Sequence, residues 1–224
     1  MSRGTSEEAS TPANPAGRNG SSPIVPLHFI VRVTSKGDFT SAREFTNSYH
    51  SYIKWKDRPS RKLYWRLFIE GQLIGVFGLT SAYARPKAVM EYMKKHQLTF
   101  NQIGNNSLYC LHGHNDRNAG TRFLALCRRD AKQWWLQRYG DDLRAMQTFI
   151  LPGENRTGTV YKADNWTRIG TTTGGTSLTT RTLYGPDRDA HPEAEIRTFS
   201  SGEVKYLLRE YIITEPKFIY MRLL

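Results

Sequence analysis

The segment Gly158–Gly170, GTVYKADNWTRIG, is the most informative stretch of this 224-residue chain. Its pattern predicts a short helix over residues 157–163, then a turn, then a strand over residues 166–171. A compact helix–turn–strand unit of this kind places Tyr161 near the end of the helix. Two interpretations of Tyr161 remain open, a packed core residue or a functional hydroxyl, whereas Trp166 is expected in the core in either case.

The rest of the chain alternates between predicted strands and helices. The clearest helix, over residues 121–138, carries an apolar stripe and is closed by Gly140. Glu70-Gly71 forms the tight turn of a hairpin. This alternation predicts a layered α/β or α+β domain with a partly parallel centre. The other predicted elements are strands over 27–33, 63–69, 73–79, 107–111, 143–151 and 218–223, helices over 39–52, 86–97 and 204–211, and loops over 171–181 and 184–202.

The segment that leads into the long helix reads HGHNDRNAGTR, residues 112–122. A helix that starts near Gly120 exposes backbone N–H groups, and such a terminus binds phosphate well. Arg117 and Arg122 supply charge-assisted donors. The segment therefore fits a pyrophosphate-binding loop, and it equally fits an ordinary helix start capped by Asn118.

Length, charge and cysteine content limit the class of protein. The length allows one domain, assigned to residues 24–224, and residues 1–23 are predicted to be a disordered tail. Because no signal peptide and no run of 18 apolar residues is found, we expect a cytoplasmic protein without a membrane partner. The net charge of +12 favours nucleic acid as the partner, with a basic pI that serves no function as the alternative. Cys110 and Cys127 lie in apolar runs and are expected to be buried thiols.

The helix–turn–strand segment resembles the closing signature of the GNAT acetyltransferases, in which a helix ends in a tyrosine and an aromatic residue opens the next strand. Residues Arg117–Gly120, RNAG, are similar to the Arg-x-x-Gly loop that holds the acyl-CoA pyrophosphate in that family. Arg122 departs from the pattern, which has a small residue there. The resemblance implies an α+β fold with a GNAT-like mixed central sheet flanked by helices.

Within that superfamily the chain is similar to the Mom-like DNA-modification proteins of tailed phages. Three segments carry the likeness: GVFGLTSAYARP at 75–86, NAGTRF at 118–123 and GTVYKADNW at 158–166. A related phage-defence family carries His-x-Tyr in its first helix, and His50 and Tyr52 in YHSY match that pattern.

The likeness implies an acyl-CoA-dependent enzyme that acts on DNA bases. It implies acetyl-CoA as cofactor, double-stranded DNA as partner, and a methylcarbamoyl or acetamido-type group on N6 of adenine, which shields phage DNA from host restriction. It also implies iron held by His and acidic or phenolic ligands. The relatives usually carry an acidic residue before the tyrosine helix; here Leu151 stands at that place, and Glu154 is the nearest carboxylate.

The same likeness assigns roles to single residues, for each of which plain packing is the alternative. Tyr161 becomes the acid that protonates the departing CoA sulfur, His50 the base or a metal ligand, and Tyr52 its hydrogen-bonding support. His112 and His114 lie on one side of an extended chain and are weaker metal candidates. The expected cofactor-binding residues are Tyr109, Leu111, Arg117, Asn118, Ala119, Gly120, Thr121, Arg122 and Asn165.

A stretch of cations and aromatics at residues 49–65, YHSYIKWKDRPSRKLYW, is the candidate DNA-binding segment. Its cations can neutralise phosphates, while Trp55 can stack on a base or hold the loop. Because an enzyme acting on a duplex must extrude its base, this stretch or the loop over 171–181 is expected beside the catalytic pocket. A solvated basic loop is the alternative. The expected nucleic-acid contacts are Lys54, Trp55, Lys56, Arg58, Arg61 and Lys62.

Two other classes of function stay open. One is a GNAT enzyme that acetylates a small amine or a protein, and the basic charge argues against it. The other is a non-catalytic DNA-binding protein of the same fold, and the intact RNAGT and GTVY segments argue against that one.

Overall fold

The computed structural model describes residues 28–51, 53, 55, 60–83, 85–113, 116–153, 156–184 and 186–224. Its strands are β1 (His28–Arg32), β2 (Lys62–Ile69), β3 (Gln72–Ser81), β4 (Ile103–Leu111), β5 (Ala145–Ile150), β6 (Thr167–Thr171), β7 (Gly175–Leu183), β8 (Glu195–Thr198), β9 (Val204–Thr214) and β10 (Phe218–Leu223). Its helices are α1 (Lys36–Tyr49), α2 (Lys87–Lys95), α3 (Ala119–Tyr139), α4 (Thr159–Ala163) and α5 (Pro186–Asp189). The predicted tail at residues 1–23 lies outside the described residues.

Seven of the described strands form the central sheet, in the order β1-β2-β3-β4-β5-β10-β6. β4 and β5 run parallel, and the other neighbouring strands of this sheet pair antiparallel. The predicted α+β class, a GNAT-like mixed central sheet flanked by helices, is confirmed. β7, β9 and β8 form a separate antiparallel sheet.

Helices cover both faces of the central sheet. On one face α3 and α4 pack over the largest apolar cluster, which contains Trp65, Phe123 and Trp135. On the other face α1 contributes Ala42 and α2 contributes Val89 to two smaller clusters. Because close-packed side chains hold the sheet from two sides, the positions of its central strands are fixed.

Asp130 anchors α3 to the sheet. Its carboxylate accepts two 2.8 Å hydrogen bonds from the Arg32 guanidinium of β1 and one of 2.7 Å from the Trp65 indole of β2. Burial alone would raise the pKa of Asp130, but these hydrogen bonds outweigh burial and hold that pKa below its ordinary value. As predicted, α3 ends at Gly140, whose φ of 74° lies in the left-handed region that glycine adopts easily.

Three predictions in the C-terminal third of the chain are wrong. Residues 171–181, predicted as a loop, contain most of β7, and residues 204–211, predicted as a helix, lie within β9. Residues 184–202, also predicted as a loop, include α5 and β8. β7 pairs with β9 along its whole length. Each of these strands is stabilised by a partner distant in sequence, so the local pattern does not reveal the pairing.

Both cysteines, Cys110 and Cys127, are buried free thiols, as predicted. Burial raises the pKa of Cys110 to about 11 and that of Cys127 well above its ordinary value. The reactive thiolate is therefore scarce at neutral pH at either position.

Within the described part of the chain, no helix combines the length and the apolar character needed to cross a bilayer.

Candidate functional site

The central sheet opens between β4 and β5. The register between these two described strands runs from Ile103↔Ala145 to Asn106↔Thr148 and ends there, although both strands continue. A cavity of about 680 Å³, which we call the first cavity, occupies the opening and is bounded by the start of α3 and by α4. Strands that separate leave backbone N–H and C=O groups that a ligand can bind.

A β-bulge in β4 lies where the strands separate. Gly78 of β3 pairs with Leu108 and Leu79 pairs with Asn106, so Ser107 is the extra residue. The Asn106 side chain spans the bulge, because its Nδ2 donates to the carbonyl oxygens of Gly78 and Leu108 at 3.0 and 2.7 Å. These two bonds fix the orientation of the amide and leave its Oδ1 as an acceptor.

Tyr161 of α4 reaches the same point. Its hydroxyl donates a 2.7 Å hydrogen bond to Oδ1 of Asn106. Its buried ring packs among the rings of Tyr109, Trp166 and Tyr220, at centroid distances of 5.9, 5.2 and 6.1 Å. The hydroxyl proton therefore points at Asn106 in this arrangement. The side chain is thus a core residue whose hydroxyl group lies at the cavity.

The start of α3 forms another wall of the first cavity. Gly120 and Thr121 line it, and their N–H groups belong to the first turn, which lacks intrahelical acceptors. Asn118 holds the N-cap position, but in the described structure its side chain makes no capping bond and the first turn carries no acid. Arg117 and Arg156 add two cations to the lining. Free N–H groups, the helix dipole and two guanidinium groups together suit a pyrophosphate.

Gly120 lies too close to its neighbours to carry a side chain. A Cβ there would meet the Tyr109 hydroxyl at 2.8 Å and Cγ2 of Val160 at 3.0 Å. The Tyr109 hydroxyl has no hydrogen-bond partner among the described residues, and burial raises the pKa of Tyr109 well above its ordinary value. The glycine therefore lets α3 begin close against β4 and α4, which keeps its first N–H groups at the cavity.

The structure divides the expected cofactor-binding residues into two groups. Outside the lining of the first cavity, Ala119 is buried, Arg122 pairs with Asp116 at 3.2 Å, and Asn165 holds a turn with a φ of 57°. Asparagine tolerates this left-handed conformation better than most residues, which accounts for its position before the strand. The expected residues that do line the first cavity are Tyr109, Leu111, Arg117, Asn118, Gly120 and Thr121.

Asp164, in the second half of the GTVYKADNW segment, holds α4 in place. Its buried carboxylate accepts hydrogen bonds of 3.2 and 3.1 Å from Arg128 of α3 and one of 2.9 Å from the Trp166 indole. Arg222 of β10 approaches it to 3.7 Å, and burial lowers the pKa of that guanidinium. This ionic cluster joins α3, α4 and β10, and so it fixes where α4 places Tyr161.

His50, at the C-cap of α1, lines the first cavity. Its Nδ1 accepts a 3.1 Å hydrogen bond from the Ile53 N–H, so the neutral ring carries its proton on Nε2. A histidine that binds a metal through Nε2 donates from Nδ1 instead, which the Ile53 N–H opposes. The geometry therefore suits a donor at the cavity better than an iron ligand. Tyr52, the expected support of His50, lies outside the described residues.

The described residues do not fit an iron site. Among them no three His, Cys, Asp or Glu side chains lie close enough together to share a metal ion. His112 is stacked on Tyr49, with ring centroids 4.0 Å apart. His114 and Glu154 lie outside the described residues. No step of the chemistry below therefore passes through iron.

Three of the expected nucleic-acid contacts are described, and the side chains of two of them, Trp55 and Arg61, are engaged within the protein. Trp55 packs against the apolar cluster under α1. Arg61 pairs with Asp141. The backbone of Lys62 exchanges hydrogen bonds of 2.7 and 2.9 Å with the Tyr139 hydroxyl. The remaining three, Lys54, Lys56 and Arg58, lie outside the described residues.

A second cavity, of about 1020 Å³, meets the first. It is lined by both connections between the central sheet and the β7-β9-β8 sheet, and by Arg85, Lys87 and Lys217. The two cavities touch where β4 and β5 separate, because they share the lining residues Ile53, Asn106, Ser107 and Phe149.

Sequence reasoning missed the second cavity and the part played by Asn106. One signal was present, because Asn105 and Asn106 are two polar residues directly before the strand predicted over residues 107–111, and the structure includes both in β4. Polar side chains inside a central strand need hydrogen-bond partners, and they often mark a site.

Several solved structures are distantly similar to this chain. The aminoglycoside acetyltransferase AAC(6')-Ib in complex with coenzyme A and kanamycin is 12% identical, with 87% of this chain and 95% of that chain covered and a TM-score of 0.47. The ribosomal-protein-S18-alanine N-acetyltransferase from Escherichia coli is 11% identical, with 88% and 94% covered and a TM-score of 0.44. These distant likenesses concern the fold, and no substrate follows from them. No curated protein matches the sequence.

One protein-family model matches the sequence. It describes the Mom protein family, and it matches residues 31–217. The matched range contains both cavities, the bulge in β4, the start of α3 and the GTVYKADNW segment. Because the match spans most of the chain, the chain belongs to the Mom protein family.

Proposed function

We propose that this Mom-family protein is an acyl-CoA-dependent enzyme that modifies adenine in DNA by acyl transfer to N6, which leaves an acetamido-type group there. The observation that carries the proposal is the meeting of two cavities in the gap between β4 and β5, at Asn106, which accepts a hydrogen bond from Tyr161 of the first cavity. Two cavities that meet at Asn106 can hold two substrates within reach of each other, which is the first requirement of group transfer.

The first cavity suits acyl-CoA. Its pyrophosphate fits against the N–H groups of Gly120 and Thr121, with Arg117 and Arg156 as counter-charges. The thioester of a cofactor bound in this way extends along the gap between the strands towards Tyr161. The second cavity then remains for the acceptor.

Three features support adenine in DNA as that acceptor. A base in a duplex must be extruded before an enzyme can act on it, and the second cavity, at about 1020 Å³, has room for one. Arg85, Lys87 and Lys217 line this cavity and can neutralise the phosphates beside an extruded nucleotide. The net charge of +12 attracts a polyanion over a longer range.

The arrangement suits direct acyl transfer. N6 attacks the thioester carbonyl carbon, the bond from carbon to sulfur breaks, and the sulfur leaves with the electron pair, so that an acetamido-type product forms. A methylcarbamoyl group contains a further nitrogen atom, which acetyl-CoA does not hold and this step does not form. In this proposal Tyr161 gives that sulfur a proton, for which its hydroxyl must turn away from Oδ1 of Asn106, while the amine gives its proton to a base. N6 is a weak nucleophile because its lone pair is delocalised into the ring. Most of the rate acceleration must therefore come from positioning of the two substrates and from proton transfer. His50 is the base candidate, and it must release the Ile53 N–H to take a proton on Nδ1.

Mass spectrometry of nucleosides tests the proposal. DNA from cells that express the wild-type chain or Tyr161→Phe is digested, and we expect an adenine nucleoside of added mass in the wild-type sample alone. Purified protein is heated with and without acetyl-CoA, and we expect the ligand to raise the melting temperature. A rise combined with unmodified adenine would refute DNA modification and favour another amine as acceptor. No rise would refute the enzyme and favour a non-catalytic DNA-binding protein.

A further inference from the structure

A three-stranded arm stands beside the second cavity. It comprises β7, β8 and β9, residues 175–214, and its sheet is separate from the central sheet. Residues 171–174 lead into the arm and residues 214–217 lead out of it, and both segments contribute to the lining of the second cavity. The two segments are joined by hydrogen bonds between Thr172 and Lys217. The arm is therefore rooted at the rim of the cavity proposed to hold the base.

Near this root the arm exposes an apolar surface. Leu178 and Tyr211 are cross-strand partners, and Ile213 lies two residues beyond Tyr211 on the same face of the sheet. The exposed fractions of Leu178, Tyr211 and Ile213 are 53%, 76% and 80%. Large apolar side chains exposed next to one another mark a surface that another molecule covers. We call these three residues the arm patch.

The arm patch is close enough to the second cavity to contact DNA that is held there. Tyr211 lies three residues from Thr214, which lines the cavity, and that is about 10 Å along a strand. An extruded base stays attached to its own strand, whose neighbouring nucleotides follow at about 3.4 Å each. The base pairs on either side of the extruded base are therefore within reach of the patch.

The charge of the arm indicates which part of DNA it contacts. Residues 175–214 contain five basic and six acidic residues, so the excess positive charge of the chain lies outside the arm. A surface of this kind gains little from phosphates. One aromatic and two aliphatic side chains instead suit the faces of bases, and side chains of this type fill the space between base steps in proteins that unstack DNA.

We propose that the arm patch packs against the base stack beside an extruded nucleotide and holds the duplex open. This inference rests on the proposed function, because it takes a base in DNA as the acceptor. It adds that the arm serves duplex DNA specifically. A single strand has no stack to keep apart, and its base can enter the second cavity without the arm.

A double variant, Tyr211→Ala with Ile213→Ala, tests the arm patch. Tyr184→Ala is the matched control, because Tyr184 is 74% exposed and follows the far end of β7. Modification of a duplex oligonucleotide and of the corresponding single strand is followed by mass spectrometry of nucleosides. We expect the double variant to lose about tenfold in rate on the duplex and to keep its rate on the single strand. The control variant should keep both rates.

A second measurement detects base extrusion independently of base modification. A duplex that carries 2-aminopurine in place of the target adenine should gain fluorescence with the wild-type protein, and most of that gain should be absent with the double variant. Equal rate losses on duplex and single strand, or no loss on either, would overturn the inference and leave the proposed function standing. A wild-type dimer that becomes a monomer in the double variant, at an unchanged duplex rate, would show that a second copy covers the patch. If the wild type modifies neither substrate, the proposed function fails. The role of the arm patch in base extrusion is then tested by the difference in fluorescence between the wild type and the double variant.

Discussion

Replacing Tyr161 by phenylalanine removes one oxygen atom and isolates the role of its hydroxyl. The hydroxyl donates a 2.7 Å hydrogen bond to Asn106, and the phenylalanine ring can keep the contacts with Trp166 and Tyr220. We therefore expect Tyr161→Phe to fold and to keep the first cavity. Under the proposed mechanism, the variant lacks the proton for the leaving sulfur.

The effect on stability follows from the lost hydrogen bond. Oδ1 of Asn106 becomes a buried acceptor without a donor, which costs about 1–3 kcal/mol. For a domain of this size that lowers Tm by about 2–12 °C and leaves the protein folded at 25 °C. Loss of the acid, in contrast, slows the transfer about 10²–10⁴-fold. The two effects differ enough to be separated by experiment.

Tyr220→Phe is the matched control. The Tyr220 ring lies 6.1 Å from that of Tyr161, and its hydroxyl donates a 3.3 Å hydrogen bond to the carbonyl of Thr157. The assay measures the initial rate of modification of a duplex oligonucleotide at saturating acetyl-CoA, and calorimetry measures the affinity for acetyl-CoA. We expect unchanged affinity in both variants, a large rate loss in Tyr161→Phe, and a nearly wild-type rate in Tyr220→Phe. Equal rates in the two variants would refute the acid role and leave Tyr161 as a packing residue.

Three further variants test the surroundings of the site. Gly120→Ala should weaken acetyl-CoA binding about tenfold, because a Cβ there meets a buried tyrosine hydroxyl at 2.8 Å. Calorimetry measures the affinity, with Gly37→Ala in α1 as the control variant. Equal affinities of the two variants for acetyl-CoA would contradict the prediction. Asp164→Asn should lower the free energy of unfolding by about 3–5 kcal/mol, because a guanidinium of α3 stays buried without its counter-charge; an unchanged midpoint in denaturant would disprove this. Burial raises the pKa of Asp130, but its hydrogen bonds outweigh burial and hold that pKa below the ordinary value of 3.8 in the folded protein. The ionised carboxylate therefore contributes fully to stability above about pH 4. This contribution is lost as the pH falls through the pKa of the folded state. Asp130→Asn should flatten this acid limb in unfolding curves, and an unaltered limb would count against the ion pair.

Elements with local signals could be predicted from the sequence, and elements made by distant pairing could not. Glu70 and Gly71 both adopt positive φ in the hairpin turn, and Gly140 does so at the end of α3. The arm lacks such signals. Leu207, Leu208 and Tyr211 of β9 follow one another at spacings that also fit a helix, and only their pairing with β7 makes this segment a strand.

The site shows the same division. Tyr161 and Gly120 belong to motifs that resemble a known family, and the structure places both at the first cavity. Asn106 acts through the bulge at Ser107, which depends on the register between β3 and β4; the sequence shows only that two asparagines precede the predicted strand. Asn165 was expected to bind the cofactor, but it lies outside the lining of both cavities, and the structure accounts for it through backbone conformation.

The central claim is that the protein transfers carbon from acyl-CoA to adenine in DNA. The most direct measurement uses purified protein, acetyl-CoA labelled with carbon-13 in the acetyl group, and a duplex oligonucleotide that is then digested to nucleosides for mass spectrometry. We predict a modified adenine nucleoside that carries the label with the wild-type protein and is nearly absent with Tyr161→Phe. Unlabelled adenine from DNA incubated with a protein that binds acetyl-CoA would contradict the claim.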